Sequence, residues 1–198
     1  MNISLVPTNY KAGERSSHPL SMAELALLKR EGVISKKIRV YRLEVNHLDV
    51  QVECPVIVDE DKRPVCVIMP AFKLPYRRYP GYVYLYAVAL YLTGHSMRKA
   101  AHEVRKKFGI KKFSHSTVSR TFAALQLNVE SLSQVCSQED MRYAPPEPPS
   151  LVERTVWDSG KRESARKLLH SLAAILSKPE TGAMIIYRYF MRYCQFLI

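Results

Sequence analysis

The chain has 198 residues and 47% of them are hydrophobic, which is enough to bury one ordinary core or two small ones and excludes a disordered protein. With 30 basic and 18 acidic residues the formal net charge is +12, a balance that favours acidic partners. The four cysteines are scattered without a C-x-x-C pair, and the first residues lack a signal-peptide pattern. We therefore expect a globular cytoplasmic protein without a disulfide framework.

Residues 1–36 are predicted to form an N-terminal arm and a short helix. The first twenty residues contain proline, glycine and serine without periodicity, and we interpret them as the arm. Ser21 and Glu24 have the spacing of a capping box, in which each side chain binds a free backbone amide at the helix start. The helix should extend to about Arg30, where Gly32 supplies the stop.

Residues 37–69 have the pattern of strands. From Val50 to Val58 every second residue is apolar or cysteine, as on one face of a half-buried strand. A β-branched segment precedes this run and is predicted to be another strand. Residues 64–69, which follow an acidic turn, are predicted to form the third strand. The simplest arrangement is a small antiparallel β-ribbon of three strands.

Residues 70–125 begin with a proline-rich connector and a buried helix. The prolines from Pro70 to Pro80 favour a stiff, extended chain, in which Arg77 and Arg78 alternate with tyrosines. Such tyrosines suit nucleic-acid contact and packing on the helices equally well. The nearly all-apolar run from Tyr82 to Thr93 predicts a helix that is buried on more than one side and is too short to span a bilayer.

Two further predicted helices follow, and they are separated as in a helix-turn-helix. The apolar stripe of the first comprises Met97, Ala100, Ala101, Val104 and Phe108. The apolar side of the second comprises Val118, Phe122 and Leu125. Ser96 and Ser114 are suited to cap the two N-termini, and Gly109 stands where the first helix should end. We predict a three-helix domain over residues 70–125.

Positive charge is concentrated on this domain. Residues 70–125 contain eleven Lys or Arg but only one acidic residue, Glu103. Charge of one sign on a helix-turn-helix indicates a nucleic-acid binder, because neutralised phosphates release counterions. The alternative is a solvated basic face that serves solubility.

A known family resembles this part of the chain. The run G-I-K-K-F-S-H-S-T-V-S-R resembles the turn and recognition helix of homeodomain-like modules in transposases and resolvases. The segment P-A-F-K-L-P-Y-R-R-Y-P, with the helical pattern after it, is similar to a family of uncharacterised bacterial proteins related to insertion-sequence transposases. These proteins place a small zinc ribbon before the helix-turn-helix. The resemblance therefore implies a zinc-ribbon-like N-terminal part, degenerate here, over about residues 38–69.

The candidate zinc ligands are too few for a structural site. Cys54, Cys66 and His47 are the only ligand types that the ribbon region offers at suitable places, whereas tetrahedral zinc needs four ligands, usually as two close pairs. We predict no metal and no cofactor, and we expect these cysteines to be buried in the sheet.

The start of the second helix of the pair is the predicted contact with DNA bases. In helix-turn-helix proteins these first turns enter the major groove, while the preceding helix lies across the backbone. The predicted base contacts are His115, Ser116, Ser119 and Arg120. The predicted phosphate contacts are Arg77, Arg78, Arg98, Lys99, Lys111, Lys112 and Thr117. Two alternatives for Arg120 are an ion pair with Glu103 and simple exposure to solvent.

The last third of the chain is predicted to contain a linker followed by a pair of helices. Residues 126–150 end in a polyproline segment and are predicted to be a Pro-rich linker. Residues 151–198 are predicted to form a C-terminal helical hairpin, whose final apolar stretch needs a cover. Docking on the rest of the domain would supply that cover, and so would a homodimer formed through these helices.

The overall prediction is an α+β fold, mainly α, that binds double-stranded DNA and is not an enzyme. The region after Leu125 lacks a strand pattern that could carry the carboxylates of a nuclease-type transposase, and the chain has no glycine-rich phosphate loop. We interpret the chain as a non-catalytic helix-turn-helix protein of transposase or mobile-element origin. The alternatives are a helical protein–protein interaction module and a transcriptional regulator unrelated to transposition.

Overall fold

The computed structural model describes residues 2–6, 16–17, 20–137, 159–193 and 196–198. The strands are β1 (Asn2–Val6), β2 (Ser16–Ser17), β3 (Arg39–Val45), β4 (Leu48–Cys54), β5 (Val56–Val58) and β6 (Pro64–Pro70). The helices are α1 (Met22–Arg30), α2 (Gly81–Leu92), α3 (Met97–Phe108), α4 (His115–Leu127), α5 (Val129–Ser137), α6 (Ser159–Leu176) and α7 (Pro179–Tyr193). The predicted class, α+β and mainly α, is confirmed. The chain forms two compact units, Met1–Pro80 and Gly81–Ile198.

The described strands of the first unit form two three-stranded sheets, with the orders β1-β6-β5 and β2-β4-β3. The hairpins β3–β4 and β5–β6 are antiparallel, whereas β1 pairs parallel to β6 and β2 parallel to β4. Asn46 and His47, with φ of 51° and 61°, form the two-residue turn of the first hairpin, which suits the twist of its strands. This topology corrects the predicted single ribbon of three strands.

Pro55 is the physical reason for that correction. It lies between β4 and β5 and has no backbone N–H, so it cannot continue the hydrogen bonding of β4. The alternating run from Val50 to Val58 therefore divides into strands of different sheets. The predicted buried face is present on β4, because Val50, Val52 and Cys54 are fully buried.

The N-terminal residues also differ from their prediction. Residues 2–6 and 16–17, which the sequence assigned to an arm, are strands because they pair with β6 and β4. The rest of the predicted arm lies outside the described residues, apart from residue 20. The capping box is confirmed: Ser21 Oγ accepts from Glu24 N at 3.3 Å, and Ser21 N donates to Glu24 Oε2 at 2.8 Å. Ser21 Oγ also donates to Glu24 Oε2 at 2.6 Å, and this bond, together with the one from Ser21 N, lowers the pKa of Glu24.

The second unit is built around α2, which is almost entirely buried. Helices α3, α4, α6 and α7 all pack on it, which explains why its sequence is apolar on every side. Gly182 lets α7 approach closely, since a Cβ at this position would lie 3.1 Å from Tyr82 Cβ. His170 Nδ1 of α6 is hydrogen-bonded to Leu92 O at 2.8 Å.

The C-terminal helices dock on the domain that precedes them. Besides α2, they pack on α5, and Tyr193 Oη donates to Gln134 Oε1 at 2.8 Å. Docking is therefore the cover that the structure shows for this apolar pair, while the homodimer stays a prediction. Residues 126–137 form the end of α4, its cap at Asn128 and α5, where the sequence predicted the start of a linker, and residues 138–150 lie outside the described part.

The core of the helix-turn-helix follows the predicted stripes except at Phe122 and at Met97, which is half-buried at the start of α3. Ala100, Ala101, Val104 and Val118 are buried as predicted. Phe122 lies at the edge of the core instead, half-exposed, with its ring 5.0 Å from that of Tyr91. The buried position on that side of α4 belongs to Thr121, whose hydroxyl donates to Thr117 O at 2.9 Å and so satisfies its polar group inside the helix.

Candidate nucleic-acid interface

The turn between α3 and α4 is held by its own apolar residues. Gly109 has φ 53°, the left-handed conformation that ends a helix, and its N–H donates to Arg105 O. Ile110 and Phe113 are buried, and the ring of Phe113 lies 5.8 Å from that of Tyr84 in α2. Because both ends of the turn are anchored, Lys111 and Lys112 between them are exposed at a defined place.

Both helices of the pair begin as the sequence predicts. Ser96 Oγ accepts from Lys99 N at 3.2 Å, and Ser114 Oγ accepts from Thr117 N at 3.3 Å. Ser114 Oγ also lies 2.8 Å from Ser116 Oγ and 3.0 Å from Thr117 Oγ1. The hydroxyl groups at the start of α4 therefore form a connected cluster that presents donors and acceptors on its surface.

All four predicted base contacts are exposed in the first two turns of α4: His115, Ser116, Ser119 and Arg120. Arg120 Nε donates to Ser116 O at 3.3 Å, which places the guanidinium along the N-terminal part of the helix. This bond uses one of the five N–H groups of a guanidinium. Within the described residues no ion pair joins Arg120 to Glu103, the partner that the sequence left open.

A cleft of about 570 Å³ lies beside this surface, where α3, the turn and the start of α4 meet. Its lining comprises Arg98, Ala101, Arg105, Lys111, Lys112, Phe113, Ser114, His115 and Thr117. Arg105 Nη1 donates to Phe113 O at 3.3 Å, so one cation of the cleft is fixed to the turn. The cleft combines four basic side chains with the N-terminus of α4, and both attract anions.

Four of the predicted phosphate contacts line the cleft, namely Arg98, Lys111, Lys112 and Thr117. Lys99 is exposed on α3 but is not part of the lining. Sequence reasoning did not assign Arg105 to a contact. A signal was present, because a spacing of seven residues places Arg98 and Arg105 on one face of α3.

The other two predicted phosphate contacts belong to the first unit. Arg78 Nη2 lies 2.6 Å from Glu44 Oε2, and the Glu44 side chain is only 4% exposed. Arg77 is half-buried, and its carbonyl accepts a hydrogen bond from Lys73 Nζ at 2.8 Å. The guanidinium of Arg78 is thus ion-paired with a buried carboxylate of its own unit.

The cysteines of the first unit do not form a shared site. Cys54 lies on β4 and Cys66 on β6, strands of different sheets. Burial raises the pKa of the Cys54 thiol to about 12, which disfavours the thiolate that binds metals. Among the residues that the structure describes, no three His, Cys, Asp or Glu side chains are grouped as metal ligands would be. The absence of a bound metal stays a prediction.

Comparison with protein-family models, with curated proteins and with solved structures gives no match to this chain. The resemblance to transposase-related proteins therefore stays a prediction, and the site is interpreted from its own chemistry. In the described part of the chain, no helix has both the length and the apolar character needed to cross a membrane.

Proposed function

We propose that this protein binds double-stranded DNA through α3, the turn and α4, without catalysing a reaction. The observation that carries the proposal is the exposed polar start of α4 beside a cleft lined by Arg98, Arg105, Lys111 and Lys112. The second helix of such a pair presents its N-terminal residues to base edges in the major groove. The cations beside it would then meet the phosphates that flank that groove.

Arg120 is the base-reading residue in this proposal. A planar guanidinium can donate to both major-groove acceptors of guanine, the commonest specific contact of this kind. The bond from its Nε to Ser116 O orients the group along α4 while leaving the terminal N–H groups to face a base. His115, Ser116 and Ser119 are exposed on the same turns and would contact the neighbouring base edges.

The cleft would hold the DNA backbone in register with α4. Its basic residues come from α3 and from a turn anchored by buried residues, so the backbone from which they project is in place before DNA binds. Backbone contacts of this type fix orientation and carry no sequence information. The proposal includes origin in a mobile element and a cytoplasmic location, both of which rest on the sequence pattern alone.

The test begins with a duplex selected by the full chain from a random library. Arg120→Ala should weaken binding of that duplex by about 1–3 kcal/mol and relax the preference at one base pair. Lys111→Ala should weaken binding to all duplexes alike and lower the dependence of affinity on salt by about one phosphate contact. Arg166→Ala is the matched control, because Arg166 is exposed on α6 and does not line the cleft.

The outcomes separate the two roles. If Arg120→Ala weakens every duplex equally, Arg120 is a phosphate contact and the base-reading assignment is wrong. If the parent protein selects no duplex, and any binding lacks a steep salt dependence, the DNA-binding proposal is wrong and a protein-interaction module is the better description.

A further inference from the structure

A strained turn in the first unit presents an aromatic side chain to solvent. Arg77 N donates to Leu74 O at 3.3 Å and closes a four-residue turn with Pro75 second and Tyr76 third. Tyr76 has φ 59°, the left-handed region that favours glycine at the third position of such a turn. The backbone therefore gives no reason for tyrosine here, and its side chain opposes the turn's geometry.

Packing gives no reason for this residue either. The Tyr76 side chain is 100% exposed, so the ring buries no apolar surface within the fold. By contrast, Tyr79, three residues later, is 5% exposed and belongs to the core. A large ring kept outside the fold on a strained residue suggests that it contacts another molecule.

Lys73 makes the turn rigid. Its side chain is buried, 2% exposed, and its ammonium donates to Leu74 O and Arg77 O, the carbonyls of the first and last residues of the turn. The same ammonium lies 5.4 Å from the centre of the Tyr41 ring. Burying an ammonium is unfavourable, and burial lowers the pKa of Lys73 to about 8. The buried charge is thus used to fix the position from which Tyr76 projects.

From this geometry we propose that Tyr76 binds nucleic acid by stacking its ring on an unpaired base. A lone projecting ring covers little of a flat protein surface, whereas a base offers a π face similar in size to the ring itself. The net charge of the chain, +12, favours an anionic partner such as a nucleic acid. A fixed turn also reduces the entropy lost when the ring becomes ordered against a base.

This inference goes beyond the proposed function, because stacking needs an unpaired base and does not require α4 to read a duplex. The two proposals therefore fail separately. Substitution of Arg120 tests the duplex surface, and substitution of Tyr76 tests the single-strand contact.

The experiment measures binding of the full chain to a fluorescent mixed-sequence single-stranded DNA and to the same sequence as a paired duplex. Tyr76→Gly removes the ring and suits the positive φ, so it should weaken single-strand binding by about tenfold to a hundredfold without lowering the unfolding midpoint. Tyr76→Phe keeps the π face and should bind single strands like the parent. Arg166→Ala, on the exposed side of α6 and away from the cleft, should leave single-strand binding unchanged.

The proposal is overturned if Tyr76→Gly binds single strands as tightly as the parent, and the ring is then better explained as a protein contact. It is also overturned if Tyr76→Gly and Tyr76→Phe weaken binding equally, since stacking does not need the hydroxyl. If the duplex is not bound at all but the single strand is bound in a ring-dependent way, this inference stands and the proposed function falls.

Discussion

Replacing Val104 by aspartate should unfold the helix-turn-helix at neutral pH. Val104 lies in the middle of α3, is fully buried and faces the packing of α3 with α2 and α4. Losing the valine removes about 1.5–3 kcal/mol of apolar burial. A carboxyl group without a partner in such a site has its pKa raised by as much as about 3–5, which costs about 4 kcal/mol at pH 7, because pH 7 lies only about 3 above the unfolded pKa. The total, about 5–7 kcal/mol, is comparable to the whole stability of a domain.

The destabilisation should depend on pH with a definite sign. The carboxyl of Val104→Asp would have a folded pKa above its unfolded value of about 3.9, so the unfolded state loses its proton first as the pH rises. The electrostatic part of the cost is therefore absent below about pH 4 and grows towards neutral pH. The loss of apolar burial should remain at every pH.

Urea unfolding followed by far-UV circular dichroism at pH 4.5 and pH 7 measures both parts. Val104→Ala is the control for the lost side chain and should cost about 2 kcal/mol at either pH. Lys99→Asp places the same carboxylate on the exposed side of α3 and should change stability by less than about 0.5 kcal/mol. An unchanged midpoint for Val104→Asp at pH 7 would show that this side of α3 does not face the core.

Two further predictions concern the first unit. Because burial lowers the pKa of Lys73 to about 8 from 10.5, the unfolded chain binds more protons between these values, and the free energy of unfolding should rise with pH across that window. The measurement should use a Cys54→Ala variant, because burial raises the pKa of the Cys54 thiol to about 12, so that this thiol lowers the free energy of unfolding as the pH rises above 9. Adding Lys73→Met to that variant should remove the rise in the free energy of unfolding. Elemental analysis of protein purified without chelator should find no stoichiometric zinc, because in the part of the chain that the structure describes no three potential ligands are grouped; one equivalent per chain would contradict this.

Local signals in the sequence predicted the starts of α1, α3 and α4 and the end of α3. The capping serines Ser21, Ser96 and Ser114 all accept the expected first-turn amide, because a cap depends on residues within a single turn. The same holds for Gly109, whose left-handed conformation ends α3. The exposed face of α4 was predictable for the same reason, since helical periodicity alone places His115 and Arg120 away from the core.

The sequence did not predict which distant segments pair. The strand β1 is defined by its parallel pairing with β6, more than sixty residues later, and no local pattern specifies such a partner. Pro55 was visible in the sequence, but alternating valines on both sides favoured one continuous strand, and only the two sheets show that the chain changes partners there. Phe122 lies at the edge of the core and Thr121 is buried, because the direction from which α2 packs decides which side of α4 is buried.

The sequence by itself determined the helix-turn-helix, its positive charge and the polar start of α4, since each depends on spacing or composition within a few turns. Tertiary structure alone decided that Arg105 donates to Phe113 O of the turn and that Arg78 pairs with the buried Glu44. It also decided that Lys73 is buried beneath the turn that carries Tyr76. The physical reason is that a charged side chain takes its role from the partners that folding brings within a few ångströms, and those partners are not specified by its neighbours in the chain.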